Sequence, residues 1–445
     1  MGGANEYGVA IAESTCGGME ELSAGNENKI LDYGSLITAT LQRAVSARDA
    51  IHTIVNLTDT YGYSSTLEAF FITDGSESWH MELIGRGEWG KGILYVAMRV
   101  PEGYIGAHAN QARITQFLDA CKDPSVCLAS SDVVQFAIDR GYYNGSPSDP
   151  SFSFSDTYDP VTVNGARFCE ARVWYIFANL ADPEYFRAED YLDYAQGTNL
   201  KNRMPLFVRA KPSKVSRLEV HGMLSSHYEG SWFDTSLDVG AGAQHNPYRW
   251  NGLTWTSSSG QQYVNERVVG TQATAWHFVA VVDPALPQPM RALSYFGVDD
   301  HAWSPKVPLF GGATAVHRSY DDGNCSARLA CRQGFGLPGY MMEFDWDAAF
   351  WVNNAVAKMV YADEDKASVI VADARCAFED YLAPLVSTVT KEAQALFADG
   401  DYQSGVSALT DLATTTSQEA TVRWTKLWQQ LLITHVDGYT ATGAI

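Results

Sequence analysis

The residues best placed to do chemistry follow an apolar strand pattern near the start of the chain. Residues 8–12 have the sequence Gly-Val-Ala-Ile-Ala, and directly after them come Glu13, Ser14, Thr15 and Cys16. A strand that is held in the core and ends on small or polar groups presents those groups at the mouth of a site. Hydroxyl, carboxylate and thiol groups are the side chains used in acyl transfer. The end of this strand is therefore the first candidate site.

A second candidate pair, His80 and Glu82, lies on a predicted hairpin. Its strands cover 69–73 and 78–84 and are joined by a turn at 74–76. Because strand side chains alternate between faces, His80 and Glu82 share one face. A carboxylate beside an imidazole is suited to acid–base catalysis. The commoner alternative is a strand face exposed to solvent.

Three further polar residues are candidates for binding. Asn110 lies three residues before Arg113 in Asn-Gln-Ala-Arg, and a guanidinium binds a carboxylate through two parallel hydrogen bonds. Arg113 or Arg267 could hold the C-terminal carboxylate of a peptide in this way; the alternative is an ordinary structural or surface Arg. Asn5 precedes the first strand, where it either contacts substrate or bonds its own turn.

The elements that must position these residues are a mixture of strands and helices. A capping signal at Ser46–Asp49 begins a predicted helix that ends near Gly62. The tract 145–160, rich in Ser, Pro, Asp and Tyr, is predicted to be the least ordered. Further helices are predicted at 36–45, 133–140, 165–181, 345–361, 365–398 (bent or broken at Pro384), 402–413 and 417–435, and further strands at 93–100, 274–282 and 290–297.

Composition and motifs exclude several classes of function. The 445 residues include 31 basic and 52 acidic ones, for a net charge of −21, so a nucleic-acid backbone or an anionic membrane surface is a poor partner. No apolar run approaches about 20 residues, which a membrane span requires. Neither a His-Glu-x-x-His helix nor a Gly-x-Ser-x-Gly turn occurs, which disfavours a metal hydrolase and a serine hydrolase.

The cysteines leave the cellular compartment open. Cys121 with Cys127, and Cys325 with Cys331, each enclose five residues in loops that contain Asp, Pro or Gly. Either pair could form a short disulfide, as in an oxidising compartment, or stay reduced in a cytosolic enzyme. Glycosylation sequons at Asn144 and Asn324 tip the balance slightly towards a secretory or lysosomal location.

Several segments resemble, in their order and spacing, the dipeptidase A and secernin family of N-terminal-nucleophile cysteine peptidases. They extend from residue 5 to about residue 361. The clearest are Asn-Glu-x-Gly-Val-Ala-Ile-x-Glu-Ser-Thr at 5–15, Ala-Asn-Gln-Ala-Arg-Ile at 109–114, Glu-Arg-Val-Val at 266–269, Gly-Val-Asp-Asp at 297–300 and Val-Pro-Leu-Phe-Gly-Gly at 307–312.

The resemblance implies an α+β fold, the four-layer α-β-β-α sandwich of N-terminal-nucleophile hydrolases. The sandwich would occupy residues 1–361, and 362–445 would form a helical extension packed on the same domain. Since the family's segment lies after its nucleophile, we expect the first strands to be missing here. An exposed sheet edge would then favour homo-oligomers.

The resemblance also implies a thiol-dependent dipeptidase that needs no cofactor. In the family, the α-amino group of an N-terminal Cys activates its own thiol. Met1 has no thiol, so we expect the nucleophile to lie upstream of this sequence. Thr15 or Ser14 would then contribute to the oxyanion site, and Glu13 or a neighbouring acid would bind the free amine of the dipeptide. The resemblance also favours Glu82 as a substrate contact.

Two alternatives to the dipeptidase stay open. One is a related amidase that cleaves an acyl-amide bond. The other is a secernin-like protein that keeps the fold, has no catalytic activity and acts by binding partners. Cys16 is expected to be a partly buried structural thiol and not a substitute nucleophile, because it has no free amine beside it.

Overall fold

The computed structural model describes residues 1–23, 28–249, 254–321 and 344–436 and divides the chain into two compact units. The first unit comprises Met1–Ser216 with Val282–Pro284, and the second comprises Arg217–Val281 with Ala285–Ile445. Helices occur together with antiparallel sheets, which confirms the α+β class. The domain boundary predicted after residue 361 falls inside the second unit, within a helix, and stays a prediction.

The first unit is built on a six-stranded antiparallel sheet. The hairpin predicted at 69–73 and 78–84 is confirmed, and Asp74 fixes its turn by accepting hydrogen bonds from the backbone N–H groups of Ser76 and Glu77. The sheet order is β1-β2-β3-β4-β5-β7, and β6 pairs with β8 separately. The strands are β1 Gly2–Ala4, β2 Ala10–Thr15, β3 Glu68–Thr73, β4 Ser78–Gly85, β5 Ile93–Arg99, β6 Tyr104–Gly106, β7 Cys127–Ala129 and β8 Phe207–Arg209.

One face of this sheet packs against two helices, α2 (Tyr33–Leu41) and α3 (Ala47–Tyr61), which follow the short α1 (Glu20–Ser23). As predicted, Ser46 caps α3 by accepting a bond from the N–H of Asp49, and Gly62 ends the helix with a φ of 74°. The helix predicted at 36–45 ends earlier, at Leu41. There the Asn5 side chain bonds the carbonyls of Leu41 and Ala44, which takes the place of further helical turns.

The opposite face is covered by short helices and loops. The prediction that 145–160 is poorly ordered is wrong, because Phe152, Phe154 and Tyr158 are fully buried in the apolar cluster on this face. Burial against distant segments outweighs the polar composition of the tract. The helix predicted at 165–181 begins as a π-helical turn, Gly165–Glu170, and continues as α6. The helices here are α4 Val133–Arg140, α5 Phe154–Tyr158, α6 Ala171–Leu180 and α7 Leu192–Ala195.

The second unit contains a three-stranded sheet and long helices. The break predicted between 413 and 417 does not occur, since the Thr416 hydroxyl is buried and bonds the carbonyl of Leu412 inside one continuous helix. Pro384 lies inside one continuous helix, so the alternative of a break at this residue is wrong. The strands are β9 Thr254–Thr256, β10 Gln262–Val264, β11 Trp276–Val282, β12 Ala292–Val298 and β13 Val307–Phe310; the helices are α8 Arg217–Leu224, α9 Ala349–Ala362, α10 Glu364–Ala398 and α11 Tyr402–Leu431.

One of the two possible disulfides is present. Cys121 and Cys127 are bonded, with their Cα atoms 4.5 Å apart, so this pair is not two reduced thiols. Cys325, Cys331 and the sequon at Asn324 lie outside the described residues. Across the described ranges, no helix combines the length and apolar character that crossing a bilayer requires.

Candidate active site

The side chains at the strand end predicted as a site lie on both faces of the sheet. Val9 and Ile11 lie in the core under α2 and α3, so alternation places Glu13 and Thr15 on that same face and Ser14 on the opposite one. The side chains of these three residues are neither fully buried nor fully exposed. The end of β2 therefore contributes to two clusters of polar side chains, one on each face of the sheet.

Ser14 forms the centre of the first polar group. Its Oγ lies 2.5 Å from Nδ1 of His108 and accepts a 3.2 Å bond from the backbone N–H of Asn110. A hydroxyl has one proton and two lone pairs, so the bond accepted from Asn110 leaves both directions open for the contact with His108, and the tautomer of the ring decides between them. Burial and the nearby His80 lower the pKa of His108 well below its usual value, so the imidazole is neutral and carries one proton, on Nδ1 or on Nε2.

Asn110 is held in a left-handed backbone conformation, with a φ of 59°. Its Nδ2 donates to the carbonyl of Thr15 at 2.5 Å, and its Oδ1 accepts from Arg172 at 2.9 Å. Asn tolerates this conformation better than most residues, and such geometry outside glycine occurs often at functional sites. The backbone between residues 107 and 114 is thereby pinned to the end of β2.

His80 and Glu82 are completely buried, so the alternative of a solvent-exposed strand face is wrong for this pair. Nε2 of His80 lies 2.9 Å from Oε1 of Glu82. The same carboxylate accepts from the backbone N–H groups of Arg113 at 2.5 Å and Ile114 at 3.1 Å. Glu82 thus fixes the far end of the segment 107–114, hereafter the Asn110 segment, to β4. The His80 ring lies 5.3 Å from the ring of His108.

Arg113 does not have the free guanidinium that a carboxylate clamp requires. Its side chain is 2% exposed and its Nε lies 3.1 Å from Glu170. Nη1 donates to the carbonyls of Ala107 and Leu206, and Nη2 to that of Pro205. These contacts support the structural alternative for Arg113, which holds the Asn110 segment against α6 and β8.

Asn5 lies away from this group, and Arg267 belongs to the other unit. Asn5 uses both ends of its amide, since Oδ1 accepts from the N–H groups of Tyr7 and Val9 while Nδ2 donates to two carbonyls, one at the end of α2 and one just after it. This favours the turn interpretation over a substrate contact. Arg267 belongs to the second unit, where its side chain is partly exposed and its carbonyl accepts from the Tyr228 hydroxyl.

The second polar group, on the α2–α3 face, centres on Glu68. This residue is opposite Thr15 in the sheet and is completely buried. Burial raises the pKa of Glu68 from 4.5 to about 7, although hydroxyl groups of Thr15 and Ser65 partly oppose the shift. Nearby, the Glu13 carboxylate contacts the amino group of Met1.

The raised pKa of Glu68 predicts a loss of stability as pH rises. A carboxyl whose folded-state pKa exceeds its unfolded value holds its proton more tightly when folded, so its contribution is complete below pH 4.5 and lost by about pH 7. The free energy of unfolding should fall by about 3 kcal/mol more in the wild type than in Glu68→Gln across this window. Asp299 and Glu364 also titrate near pH 7, so the two proteins are compared by urea unfolding at each pH. Equal pH slopes would contradict the assignment.

Cys16 is a buried thiol, 2% exposed, whose Sγ lies 3.8 Å from the carbonyl of Ser14. Burial, assisted by the charge of Asp159, raises its pKa well above the usual value. Since the thiolate is the nucleophile, a thiol that stays protonated is inert. This agrees with the expected structural role.

Alkylation of the native protein should therefore spare Cys16. Iodoacetamide is expected to label the exposed Cys376 first, and Cys16 only after unfolding in guanidinium, as followed by peptide mass spectrometry. The unfolded sample serves as the control that both peptides are detected. Labelling of Cys16 at the rate of Cys376 in the native protein would make Cys16 a candidate nucleophile again.

The sequence analysis did not identify four residues that contact the candidate site residues: His108, Glu170, Arg172 and Glu68. Their partners are remote in sequence; Ser14 and His108 are 94 residues apart, and Arg113 and Glu170 are 57 apart. No local periodicity encodes such contacts. The one available signal was the His in the Gly/His/Ala-rich loop before Asn110. In the described parts of the chain, no group of three His, Cys, Asp or Glu side chains is suited to a metal ion.

Comparison with known proteins identifies the family to which the chain is similar. The family model described as peptidase family C69 matches residues 2–374. The chain is 23% identical over 377 residues to a dipeptidase of Bifidobacterium longum (strain NCC 2705), with 83% of this chain and 63% of that protein covered. It is 23% identical over 368 residues to a probable dipeptidase of Latilactobacillus sakei, with 80% and 64% covered. It is 24% identical over 213 residues to dipeptidase A of Lactobacillus helveticus, with 48% and 40% covered. The chain thus spans less than two thirds of the length of these relatives.

Proposed function

The chain belongs to peptidase family C69, and we propose that the protein is a dipeptidase that uses an N-terminal Cys as its nucleophile. The observation that supports this most is the fixed Asn110 segment beside Ser14, which places amide and hydroxyl groups together at the end of a core strand. Preorganised hydrogen-bond donors of this kind stabilise the oxyanion in acyl transfer.

We place the nucleophile in a segment of the protein that precedes Met1. Met1 has no thiol, and Cys16 is buried and protonated. In the proposed mechanism, the α-amino group takes the proton of the Cys thiol and the thiolate attacks the peptide carbonyl. The bond to the second amino acid breaks as its nitrogen receives that proton, which leaves an acyl-enzyme. Water then hydrolyses the thioester and releases the first amino acid.

Within this mechanism, Ser14 is our candidate for the oxyanion site. Its Oγ is held between His108 and Asn110, and in the tautomer in which His108 donates from Nδ1 the Ser14 proton is free for the oxyanion. The Thr15 hydroxyl instead bonds Glu68 on the other face of the sheet. Glu13 stays our proposal for the free amine of the substrate. Its carboxylate contacts an amino group, that of Met1, and its Oε2 has no hydrogen-bond partner within the described residues.

Turnover of two variants tests these roles in the upstream-extended protein. Ser14→Ala is expected to lower kcat about 100-fold, the usual effect of removing one oxyanion donor, with KM little changed. Thr15→Val should retain much more activity, and Ser76→Ala, in the exposed hairpin turn, is the control. Unchanged turnover in Ser14→Ala would remove Ser14 from the oxyanion site, and unchanged turnover in Thr15→Val would remove Thr15.

We also propose the four-layer sandwich for the whole fold. In the first unit, a six-stranded sheet packs against α2 and α3. In the second unit, β12 and β13 pack against α9, α10 and α11. Each unit by itself therefore has helix-on-sheet layering, which supports the proposal.

A further inference from the structure

Three histidine side chains lie together in the core of the second unit. His221 is on α8, His277 is on β11 and His301 is in the loop that follows β12, and all three are buried. The centre of the His301 ring lies 4.0 Å from that of His277 and 5.4 Å from that of His221. These three rings, the histidine cluster, are separate from the groups around Ser14 and Glu68, which belong to the first unit.

Most ring nitrogens of the histidine cluster have no hydrogen-bond partner. Within the described residues this holds for both nitrogens of His221, for Nδ1 of His277 and for Nε2 of His301, and all four atoms are buried. The two remaining nitrogens contact hydroxyl groups, His301 Nδ1 at 2.9 Å from Ser225 and His277 Nε2 at 3.4 Å from Ser304. A proton added to this cluster would therefore place a charge in the core without a carboxylate in contact with it.

The charged groups around the histidine cluster are mostly cationic. In the described part of the chain they are three cations, two carboxylates and one phenol, contributed by α8, α10, β12 and the loop after β12: Arg217, Arg375, Lys306, Glu379, Asp300 and Tyr295. Glu379 already pairs with Arg217 at 2.7 Å, and Asp300 accepts a 2.6 Å bond from the Tyr361 hydroxyl. Lys306 and Arg375 donate to backbone carbonyls of the loop. Protonated rings would thus add positive charge beside existing cations.

Burial and these cations keep the three imidazoles neutral. Burial lowers the pKa of His221 from 6.5 to about 3 and the pKa values of His277 and His301 well below their usual value, with Lys306 among the charges that add to each shift. In the unfolded chain each ring titrates near its usual value, so the unfolded state binds more protons below about pH 6.5. The contribution of each ring to stability is therefore complete above that pH and is lost as pH falls.

We propose that the histidine cluster makes the second unit acid-sensitive, so that proton uptake by its three rings opens the core of this unit as pH falls. Each ring raises the opening constant by up to about 10-fold per pH unit below about pH 6.5. Asp299 and Glu364 of the same unit act in the opposite direction, because burial raises the pKa of each to about 7. Three rings against two carboxyls leave a net rise of about 10-fold per pH unit. This device does not depend on the proposed dipeptidase function.

Hydrogen exchange followed by mass spectrometry tests the proposal without turnover. The opening constant is measured for the peptide that covers β12, with correction for the intrinsic exchange rate at each pH. In the wild type it should rise between about pH 7.5 and about pH 5. In His221→Phe, which replaces two unpartnered nitrogens with an apolar ring, this rise should be about 30-fold smaller. His245→Asn, which changes an exposed ring of the same unit, should follow the wild type.

A second substitution keeps the test decisive if His221→Phe fails to fold. His301→Asn retains a polar group for Ser225 and removes the titrating ring, so its rise should be smaller by a similar factor. Each protein is compared with itself at two pH values, so a loss of stability common to both cancels. Equal rises in the wild type and in these two variants would overturn the proposal, and so would a wild-type opening constant that stays the same between the two pH values.

Discussion

Replacing Arg113 with Met is expected to lower the free energy of unfolding by about 3–5 kcal/mol, the usual result of removing one partner of a buried ion pair. The substitution leaves the Glu170 carboxylate buried without its cation and removes the donors to the carbonyls of Ala107, Pro205 and Leu206. Urea unfolding measures the effect. Arg187→Met, at an exposed position, is the matched control and should change stability by less than about 0.5 kcal/mol.

The Arg113 variants also decide between a structural residue and a substrate clamp. A clamp would raise KM for dipeptides in Arg113→Lys and leave stability nearly unchanged. A structural Arg113 lowers stability even in Arg113→Lys, because an ammonium cannot bond Glu170 and three carbonyls in the same planar arrangement. Wild-type stability in both Arg113 variants would contradict the structural role.

Replacing Glu82 with Ala should have an effect of similar size, about 3–5 kcal/mol. Three donors lose their buried acceptor: His80 Nε2 and the backbone N–H groups of Arg113 and Ile114. Glu82→Gln retains one carbonyl oxygen and should lose less. Hydrogen exchange followed by mass spectrometry should show faster exchange in the peptide that covers residues 107–114, beyond the change in global stability.

An unchanged exchange rate at 107–114 in Glu82→Ala would contradict the view that this carboxylate holds the Asn110 segment. If the segment loosens as expected, kcat should fall together with stability, since Asn110 would no longer be fixed beside Ser14. Glu77→Ala, which removes a partly exposed carboxylate one residue before the same strand, serves as the comparison.

Features encoded by neighbouring residues were predictable from the sequence. The Ser46 cap and Gly62 stop of α3 depend on groups within a few residues of each other, and so does the hairpin turn at Asp74. The placement of His80 and Glu82 on one face follows from strand alternation alone. The fold class and the candidate strand end were therefore accessible without coordinates.

Features that depend on remote partners were not predictable. The order of the 145–160 tract comes from burial of its aromatic rings, and the role of Arg113 comes from Glu170 on another element. Strand alternation should have separated Ser14 from Glu13 and Thr15, but the partner that gives Ser14 its importance, His108, lies 94 residues away. The spacing of residues along a strand shows which side chains share a face, but it does not show which distant residues contact that face.

The measurement that tests the central claim most directly is dipeptide hydrolysis by the chain as given and by a version extended upstream of Met1, each with and without a thiol alkylator. The account predicts activity in the extended protein alone, abolished by alkylation, because the proposed nucleophile is a Cys outside this sequence and Cys16 is buried. Inactivity of both versions would favour the secernin-like binding protein. Hydrolysis by the chain as given, or hydrolysis that survives alkylation, would contradict the N-terminal Cys mechanism.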